Sequence, residues 1–169
     1  MNFDLIEATE EQAGEINDLV NLAYRGENGW TRETNIVSGD RSTVEEVLGY
    51  LADPNTYLFI AKHEERIVTC ICVEKTEGVA YIGYFAVHPS YQNMGLGKSV
   101  LSKAENFAKE SLKVDTYVMV VVSQRPELIS YYERRGYVKT GKVLEYPLHL
   151  NVGIPIDNNL TIEYLEKNA

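Results

Sequence analysis

The sequence predicts a mixed α/β domain built around one β-sheet and spanning residues 1–169. Three observations lead to this prediction. Two helical patterns come first, three apolar runs separated by short turns follow, and strand-like and helix-like segments then alternate to the end of the chain. The sequence contains no internal repeat and no low-complexity linker, so a single domain is expected.

The first two helices are predicted from capping residues and apolar spacing. Residues 9–12 form a capping-box pattern, and apolar residues then recur at helical spacing as far as Ala23. A second capping pattern begins at Ser42, and its helix is expected to end near Leu51, just before an Asp-Pro pair. The polar stretch 25–41 between them has no clear period. We interpret it as a long loop, a kind of segment that often carries function.

The sheet is predicted from the apolar runs that follow. Strands are expected at 57–62, 67–74 and 79–87. A long helix is expected over about 95–112, because its apolar residues fall on one stripe. The remaining elements are a buried strand at 117–122, a short helix at 127–135 that Gly136 ends, a strand at 137–146 and a last strand at 161–166.

Charge and composition argue against some classes of function. The formal net charge is −9, which disfavours nucleic acid as a partner because binding the phosphate backbone needs clustered Lys and Arg. No apolar run approaches the roughly 18 residues that span a membrane. The N-terminal residues 1–12 are acidic and contain no basic residue, unlike a targeting presequence. We therefore expect a cytoplasmic protein that binds neither nucleic acid nor membrane.

The two cysteines, Cys70 and Cys72, lie two positions apart in a predicted strand, so both side chains point to the same face. Without nearby His or Cys residues they do not form a zinc site. A disulfide is not expected in a cytoplasmic chain. We expect two small buried side chains and no bound metal.

The segment that follows the third strand is the most informative part of the sequence. It reads Val87-His-Pro-Ser-Tyr-Gln-Asn-Met-Gly-Leu-Gly-Lys98 and leads directly into the long helix. A helix N-terminus has unpaired N–H groups and a partial positive charge, and glycines let an anion approach them. The segment therefore predicts a pyrophosphate site. It does not fit a P-loop, which needs glycine at position 92, or a dinucleotide fingerprint, which needs glycine at position 100.

A second motif, Tyr131-Tyr-Glu-Arg-Arg-Gly-Tyr137, lies at the end of the short helix. On its own it is typical of a helix end that packs aromatic side chains and stops at glycine. In order and spacing, this motif and the turn Gln92-x-x-Gly95-x-Gly97 together resemble the GNAT family of acyl-CoA-dependent N-acyltransferases. The resemblance is close over about residues 81–140 and looser from Asp4 onward. It implies a central mixed, mostly antiparallel sheet flanked by helices.

The resemblance implies acetyl-CoA as the co-substrate. Its pyrophosphate would bind backbone N–H groups of Gln92, Asn93, Met94, Gly95, Leu96, Gly97 and Lys98. Its pantetheine arm would use main-chain groups of Phe85, Ala86 and Val87. Family members often carry Asn seven residues before the helix tyrosine, whereas this chain has Arg125 there. We interpret Arg125 as a contact for a cofactor phosphate or the acceptor, or as a residue that only begins the helix.

The resemblance also assigns catalytic roles. Tyr132 would be the general acid for the departing thiolate, because a tyrosine is neutral at pH 7 and can donate. The N–H of Val87 would stabilise the charge that develops on the thioester oxygen. The general base is open, because the third strand contains no Asp or Glu. The candidates are Glu33 and a water path that ends at backbone or at Tyr84.

The loop before the second helix commonly lies over the acceptor in this family. The expected substrate contacts are Tyr24, Trp30, Arg41 and Tyr84. Arg41 indicates a carboxylate on the acceptor and Glu33 an amine, which together suit an amino acid or a related small amine. We expect direct acetyl transfer to the primary amine of a small molecule in a ternary complex.

The sequence leaves other functions open. A protein N-terminus or lysine is an alternative acceptor, although the long loop would tend to close the groove that a protein needs. A sensor that binds acyl-CoA without catalysis is a second alternative, which the presence of Tyr132 disfavours. A nucleotide-binding role is disfavoured by the failed P-loop pattern. Many relatives dimerise, so a homodimer is also among the expectations.

Overall fold

The computed structural model describes residues 3–25, 37–147, 153–155 and 160–169, and it confirms a mixed α/β fold. The expected helices and strands are present, with ends that differ from the expected ones by no more than about two residues. The structure adds three two-residue strands that the sequence pattern does not predict: Ile6–Glu7, Val37–Ser38 and Ile154–Pro155.

The helices form where capping residues and apolar stripes predict them. They are α1 (Ala13–Arg25), α2 (Val44–Ala52), α3 (Leu96–Glu110) and α4 (Pro126–Glu133), and a 3-10 turn at Glu10–Gln12 precedes α1. The backbone N–H of Thr9 donates to the Gln12 side chain at 2.9 Å, as the capping box predicts. The residue that caps α2 is Thr43 rather than Ser42, since the Thr43 hydroxyl accepts from the Glu46 N–H at 3.2 Å.

The strands form one large sheet and one small one. They are β1 (Ile6–Glu7), β2 (Val37–Ser38), β3 (Thr56–His63), β4 (Arg66–Thr76), β5 (Val79–Val87), β6 (Thr116–Val122), β7 (Val138–Glu145), β8 (Ile154–Pro155) and β9 (Thr161–Asn168). The large sheet has the order β1-β3-β4-β5-β6-β9-β7, and β2 pairs with β8. Neighbouring strands are antiparallel except for β5 and β6, which are parallel.

The parallel strands β5 and β6 are paired over only part of their length. Its pairing joins Val79–Tyr81 to Thr116–Val118 and then stops, although β5 continues to Val87 and β6 to Val122. The facing edges of the two carboxyl halves therefore carry backbone groups that are not used in the ladder between these strands. This gap in the middle of the sheet is where the candidate site lies.

A bulge in β5 redirects the side chains of its carboxyl half. Tyr84 has a φ of +47°, and the register with β4 shifts at this point. Because side chains alternate along a strand, one extra residue exchanges the two faces. Ala80 and Ile82 pack on the α3 side of the sheet, whereas Tyr84 and Ala86 pack on the side of α1 and α2. Val87 thereby comes to lie on the α3 side.

Two apolar cores, one on each face of the sheet, hold the helices in place. Helices α1 and α2 cover one face, and α3 and α4 cover the other. Both cysteines are free thiols buried beneath α1 and α2, as their spacing predicts. Among the described residues, no helix combines the length and the apolar character that crossing a membrane requires.

Buried tyrosines are expected to make the fold sensitive to alkaline pH. Tyr132 and Tyr137 are 5% and 2% exposed, and burial raises the pKa of each above its usual value of 10. The folded state keeps phenolic protons that the unfolded chain loses above that pH, so stability falls as the pH rises past it. We expect the free energy of unfolding, measured with urea, to fall by about 1.4 kcal/mol per pH unit for each such tyrosine.

The Tyr137→Phe variant is the matched control for this pH dependence. It should lose one tyrosine's share of the slope while keeping the remainder. A free energy of unfolding that does not change as the pH rises above the usual tyrosine pKa would contradict the burial of these phenols.

Candidate active site

A cavity of about 380 Å³ lies at the carboxyl end of β5, beside the start of α3 and next to α4. Among its lining residues are most of the expected cofactor contacts: Phe85, Ala86, Val87, Gln92, Asn93, Gly95, Gly97, Lys98 and Arg125. Met94 and Leu96 are absent from the described lining, since the Met94 side chain is 51% exposed and Leu96 packs in the core. The contacts expected at these two positions are backbone N–H groups, not side chains.

The start of α3 presents backbone N–H groups to this first cavity. Gly95 is the N-cap residue and has a φ of +78°, a left-handed conformation that costs about 1 kcal/mol or more for a residue with a Cβ atom. The N–H of Ser99 donates to the Gly95 carbonyl at 3.1 Å. The N–H groups at 96–98 therefore have no partner within the helix. Together with the helix dipole they form a site suited to an anion.

Gly97 allows α3 to approach α4 and β5 closely. A Cβ atom here would lie 2.9 Å from the Tyr131 hydroxyl and 3.7 Å from side-chain atoms of both Phe85 and Val87. Tyr131 is itself held by Arg135, whose guanidinium lies 3.6 Å from the Tyr131 ring centroid and donates to the Tyr131 carbonyl at 2.9 Å. The absence of a side chain at position 97 thus keeps the wall of the cavity in place.

The first cavity is lined by cations, although the protein is acidic overall. Lys98, Arg125, Arg134 and Arg135 line it, and its described lining contains no Asp or Glu. The whole chain, by contrast, has a net charge of −9. A local positive field of this kind suits a ligand with several phosphates. The sequence motifs do not predict that Arg134 and Arg135 belong to the site. The one feature of the sequence that could have indicated it is the presence of two consecutive arginines in an acidic chain.

The end of β5 leaves one backbone donor that faces away from β4. The His88 N–H donates to the Val68 carbonyl at 2.8 Å, and in an antiparallel pair the hydrogen-bonded residues alternate. The N–H of Val87 therefore points to the open side of the strand, toward the gap. The Val87 carbonyl accepts a hydrogen bond at 3.0 Å from the side chain of Gln92, which fixes the glycine turn against the strand.

Tyr132 lies on α4, where the first cavity meets a second one. Burial raises the pKa of the Tyr132 phenol above its usual range, while Arg125 and Arg135 act in the opposite direction. The phenol therefore keeps its proton at neutral pH and is a hydrogen-bond donor there. Such a group can protonate a leaving group that becomes negative.

The second cavity has a volume of about 370 Å³ and adjoins the first. The two share Tyr24, Phe85, Arg125, Leu128 and Tyr132, so molecules in the two cavities would meet beside Tyr132. Tyrosines are prominent in the walls of the second cavity: Tyr24, Tyr50, Tyr81, Tyr84, Tyr132, Tyr146 and Tyr164.

Tyr24, Arg41 and Tyr84, three of the expected substrate contacts, all line the second cavity. The Tyr24 hydroxyl donates to the Phe85 carbonyl at 3.0 Å and so joins α1 to β5. The Tyr84 phenol forms a short hydrogen bond with the Ser42 hydroxyl, and burial raises its pKa. It is therefore protonated at neutral pH and is a poor end point for a proton path. The expected contact Trp30 and the expected base Glu33 lie outside the described residues.

Glu74 is the carboxylate in the described lining of the second cavity. It lies on β4, opposite Tyr81 of β5. The sequence prediction considers the acidic residues of β5 and therefore does not include Glu74. Among the described residues, no group of three or more His, Cys, Asp or Glu side chains is placed to hold a metal ion.

Comparison with known proteins identifies related sequences. The family profile described as "Acetyltransferase (GNAT) family" matches residues 18–137. The S-(2-succino)cysteine N-acetyltransferase of Bacillus subtilis (strain 168) is 36% identical over 66 residues, which are 38% of this chain. The match spans only 40% of the length of that relative.

Solved structures share the fold over nearly the whole chain. Spermidine N-acetyltransferase from Vibrio cholerae, in complex with CoA and spermine, has a TM-score of 0.71 at 13% identity, covering 99% of this chain and 95% of that one. The ribosomal-protein-S18-alanine N-acetyltransferase from Escherichia coli also has a TM-score of 0.71 at 13% identity, covering 98% and 93%. At these identities the similarity shows the fold alone.

Proposed function

We propose that this chain, which belongs to the acetyltransferase (GNAT) family, transfers an acetyl group from acetyl-CoA directly to the primary amine of a small molecule. Membership of this family supports the acetyltransferase activity, and we infer the kind of acceptor and the direct transfer from the chain's own residues. The observation that carries it is the meeting of two cavities at Tyr132, one cationic and one lined by tyrosines.

Acetyl-CoA suits the first cavity because of the chemistry of its lining. The N–H groups at 96–98 and the side chains of Lys98, Arg134 and Arg135 would hold the phosphates, since helix N-termini and guanidinium groups are strong phosphate partners. When bound, acetyl-CoA supplies the acetyl group as a thioester. The backbone N–H of Val87 faces the gap and would hold the thioester oxygen.

The residues beside the gap would stabilise the charge that develops on the thioester oxygen and donate a proton to the leaving group. A bond forms between the amine nitrogen and the acetyl carbonyl carbon, the carbon–sulfur bond breaks, and the amine loses one proton. The N–H of Val87 stabilises the negative charge on the oxygen. Tyr132 gives its proton to the departing sulfur and later regains one from solvent. The products are an N-acetylated amine and free CoA thiol.

Direct transfer is favoured over an acetyl-enzyme because the cysteines are poor nucleophiles. Cys72 lines the second cavity, whereas Cys70 is fully buried. Burial raises the pKa of the Cys72 thiol well above its usual range, and only the thiolate is an effective nucleophile. The acetyl group would therefore pass to the amine without first forming an acetyl-cysteine intermediate.

The proton of the incoming amine has no assigned acceptor among the described residues. Glu33 stays a prediction, and the buried, protonated phenol of Tyr84 is a weak alternative. Water in contact with the second cavity would serve if the amine arrives partly in its neutral form.

The small size of the second cavity supports a small-molecule acceptor over a protein. Its volume of about 370 Å³ is at the lower end of the range of ordinary small-molecule pockets. The names of related proteins give different amines: S-(2-succino)cysteine for one relative, spermidine for one structural neighbour and a ribosomal-protein alanine for another. The acceptor must therefore be argued from this chain's own residues.

The experiment that tests the proposed function is release of CoA thiol from acetyl-CoA in the presence of amino acids, polyamines and aminoglycosides, with the products identified by mass spectrometry. We expect turnover with one class of amine and an N-acetylated product. Tight acetyl-CoA binding without turnover of any small amine would overturn the proposal in favour of a protein acceptor or a sensor. Mass spectrometry of co-expressed proteins would separate those two.

A further inference from the structure

Arg41 is held in a fixed position at the second cavity. The Asn21 side chain on α1 accepts from the backbone N–H groups of Arg41 at 2.8 Å and of Ser42 at 3.0 Å, and it donates to the Ser42 carbonyl at 3.1 Å. The Arg41 guanidinium lies 5.3 Å from the centroid of the Tyr24 ring and 5.7 Å from that of Tyr84. Backbone and rings together therefore position this charge in the cavity wall.

A second guanidinium approaches the same tyrosine ring. Arg125 is 3% exposed and lies 5.9 Å from the Tyr24 ring centroid. Its Nε is 3.8 Å from a carboxylate oxygen of Glu127, whose side chain is 46% exposed. Arg125 also occupies the N-cap position of α4, where the helix dipole disfavours a cation. Arg41 and Arg125 therefore converge on Tyr24, beside Tyr132.

One described carboxylate contacts both Arg41 and a tyrosine, and the carboxylate in the described lining of the second cavity lies at its far end. Glu46 contacts Arg41 at 3.4 Å but also accepts a hydrogen bond at 2.8 Å from the Tyr50 hydroxyl. Glu74 lies four residues along β4 from Cys70, which pairs with the carboxyl half of β5. Four residues of strand span roughly 13 Å. Glu74 is thus at the far end of the cavity, and the end next to Tyr132 is rich in guanidinium groups.

We propose that the acceptor is a free α-amino acid whose carboxylate binds between Arg41 and Arg125 while its amine faces the first cavity beside Tyr132. This assignment names the substrate class of the function proposed above and rests on that function. An α-amino acid carries its carboxylate one carbon from its amine, so both groups fit at one end of the cavity. Guanidinium groups bind carboxylates in a fixed, bidentate geometry. The tyrosine-lined remainder of the second cavity holds the side chain of the acceptor amino acid.

The same charges select against other amines. A polyamine carries several positive charges and no carboxylate, so two guanidinium groups beside the reacting centre repel it. A protein N-terminus has an uncharged amide in place of the carboxylate and leaves the arginines without a substrate anion. Nearby positive charge also favours the neutral form of an amine, which is the form that attacks.

The test compares free amino acids with their own amides. We would measure kcat/KM at saturating acetyl-CoA for L-leucine, L-methionine, L-phenylalanine and L-tyrosine, each beside its C-terminal amide, with spermidine as a further acceptor. We expect a free acid to exceed its amide by about tenfold or more and to exceed spermidine as well. The amine of an amide is more often neutral at a given pH, so this comparison is biased against the expected result.

Each alternative result is decisive. If an amide or spermidine is acetylated as well as the free acids, the α-amino-acid assignment is wrong and the proposed acetyltransferase function stands. If acetyl-CoA binds and no amine of either experiment is acetylated, the assignment and the proposed function both fail.

Variants of Arg41 test whether this residue causes the preference for a free carboxylate. Arg41→Gln is expected to bring the acid-to-amide ratio close to one and to leave acetyl-CoA affinity unchanged, because Arg41 lines the second cavity and not the first. Arg41→Lys should retain part of the preference, since the charge remains. Arg66→Gln, at the exposed first residue of β4, is the control and should keep the full ratio. An undiminished preference in Arg41→Gln would overturn the role of Arg41.

Discussion

Replacing Tyr132 with phenylalanine is expected to lower kcat by about 100-fold while leaving the Kd for acetyl-CoA nearly unchanged. The change removes one hydroxyl group and keeps the ring, which packs edge-on against Tyr131 and Tyr137 at centroid distances of 5.4 and 6.1 Å. The fold and the first cavity should therefore persist. Thiol release gives kcat, and isothermal titration gives the Kd.

Tyr137→Phe is the matched control for that variant. Tyr137 is 2% exposed, and its buried hydroxyl has no hydrogen-bond partner among the described residues. Removing it should leave kcat unchanged and stabilise the fold by about 1 kcal/mol, because an unsatisfied buried hydroxyl is costly. Full activity in Tyr132→Phe, or an equal loss in both variants, would contradict the assignment of Tyr132 as the acid.

Gly97→Ala is expected to weaken acetyl-CoA binding by about tenfold or more, since overpacking of this kind costs about 1–3 kcal/mol. The added methyl group would lie 2.9 Å from the Tyr131 hydroxyl, and Arg135 holds the Tyr131 ring in place. Relief of the clash must move α3, α4 or Tyr131, and each movement changes the wall of the first cavity. Isothermal titration with acetyl-CoA measures the effect.

The control for this glycine is Gly49→Ala in α2. A Cβ atom at Gly49 would meet no atom within 4 Å, so the substitution should leave acetyl-CoA affinity unchanged and stabilise α2 by about 0.5–1 kcal/mol. Unchanged affinity in Gly97→Ala would mean that the first cavity is not the binding site for acetyl-CoA.

Local signals in the sequence are sufficient for the helices, most strands and the glycine turn. The capping box at Thr9 and the turn that ends at Gly95 depend on neighbouring residues alone, so their geometry can be read from spacing. The expected cofactor contacts at Gln92 and Lys98 lie in the lining of one cavity for the same reason.

Long-range features of the site could not be predicted in this way. The bulge at Tyr84 exchanges the faces of β5, and periodicity alone gives no sign of an inserted residue. The early end of the β5–β6 pairing depends on the whole sheet. Asn21 fixes the backbone of Arg41 across 20 residues of sequence, and no local motif marks that contact. Glu74 reaches the second cavity from a neighbouring strand.

The pattern of initial rates with both substrates varied tests the central claim most directly, because that claim is that the two cavities meet at Tyr132 and the acetyl group passes straight between them. With the acceptor found in the amine panel, double-reciprocal plots at several fixed acceptor concentrations should give intersecting lines, which indicate that both substrates are bound before transfer. Parallel lines would indicate an acetyl-enzyme formed before the amine binds, and would contradict the account.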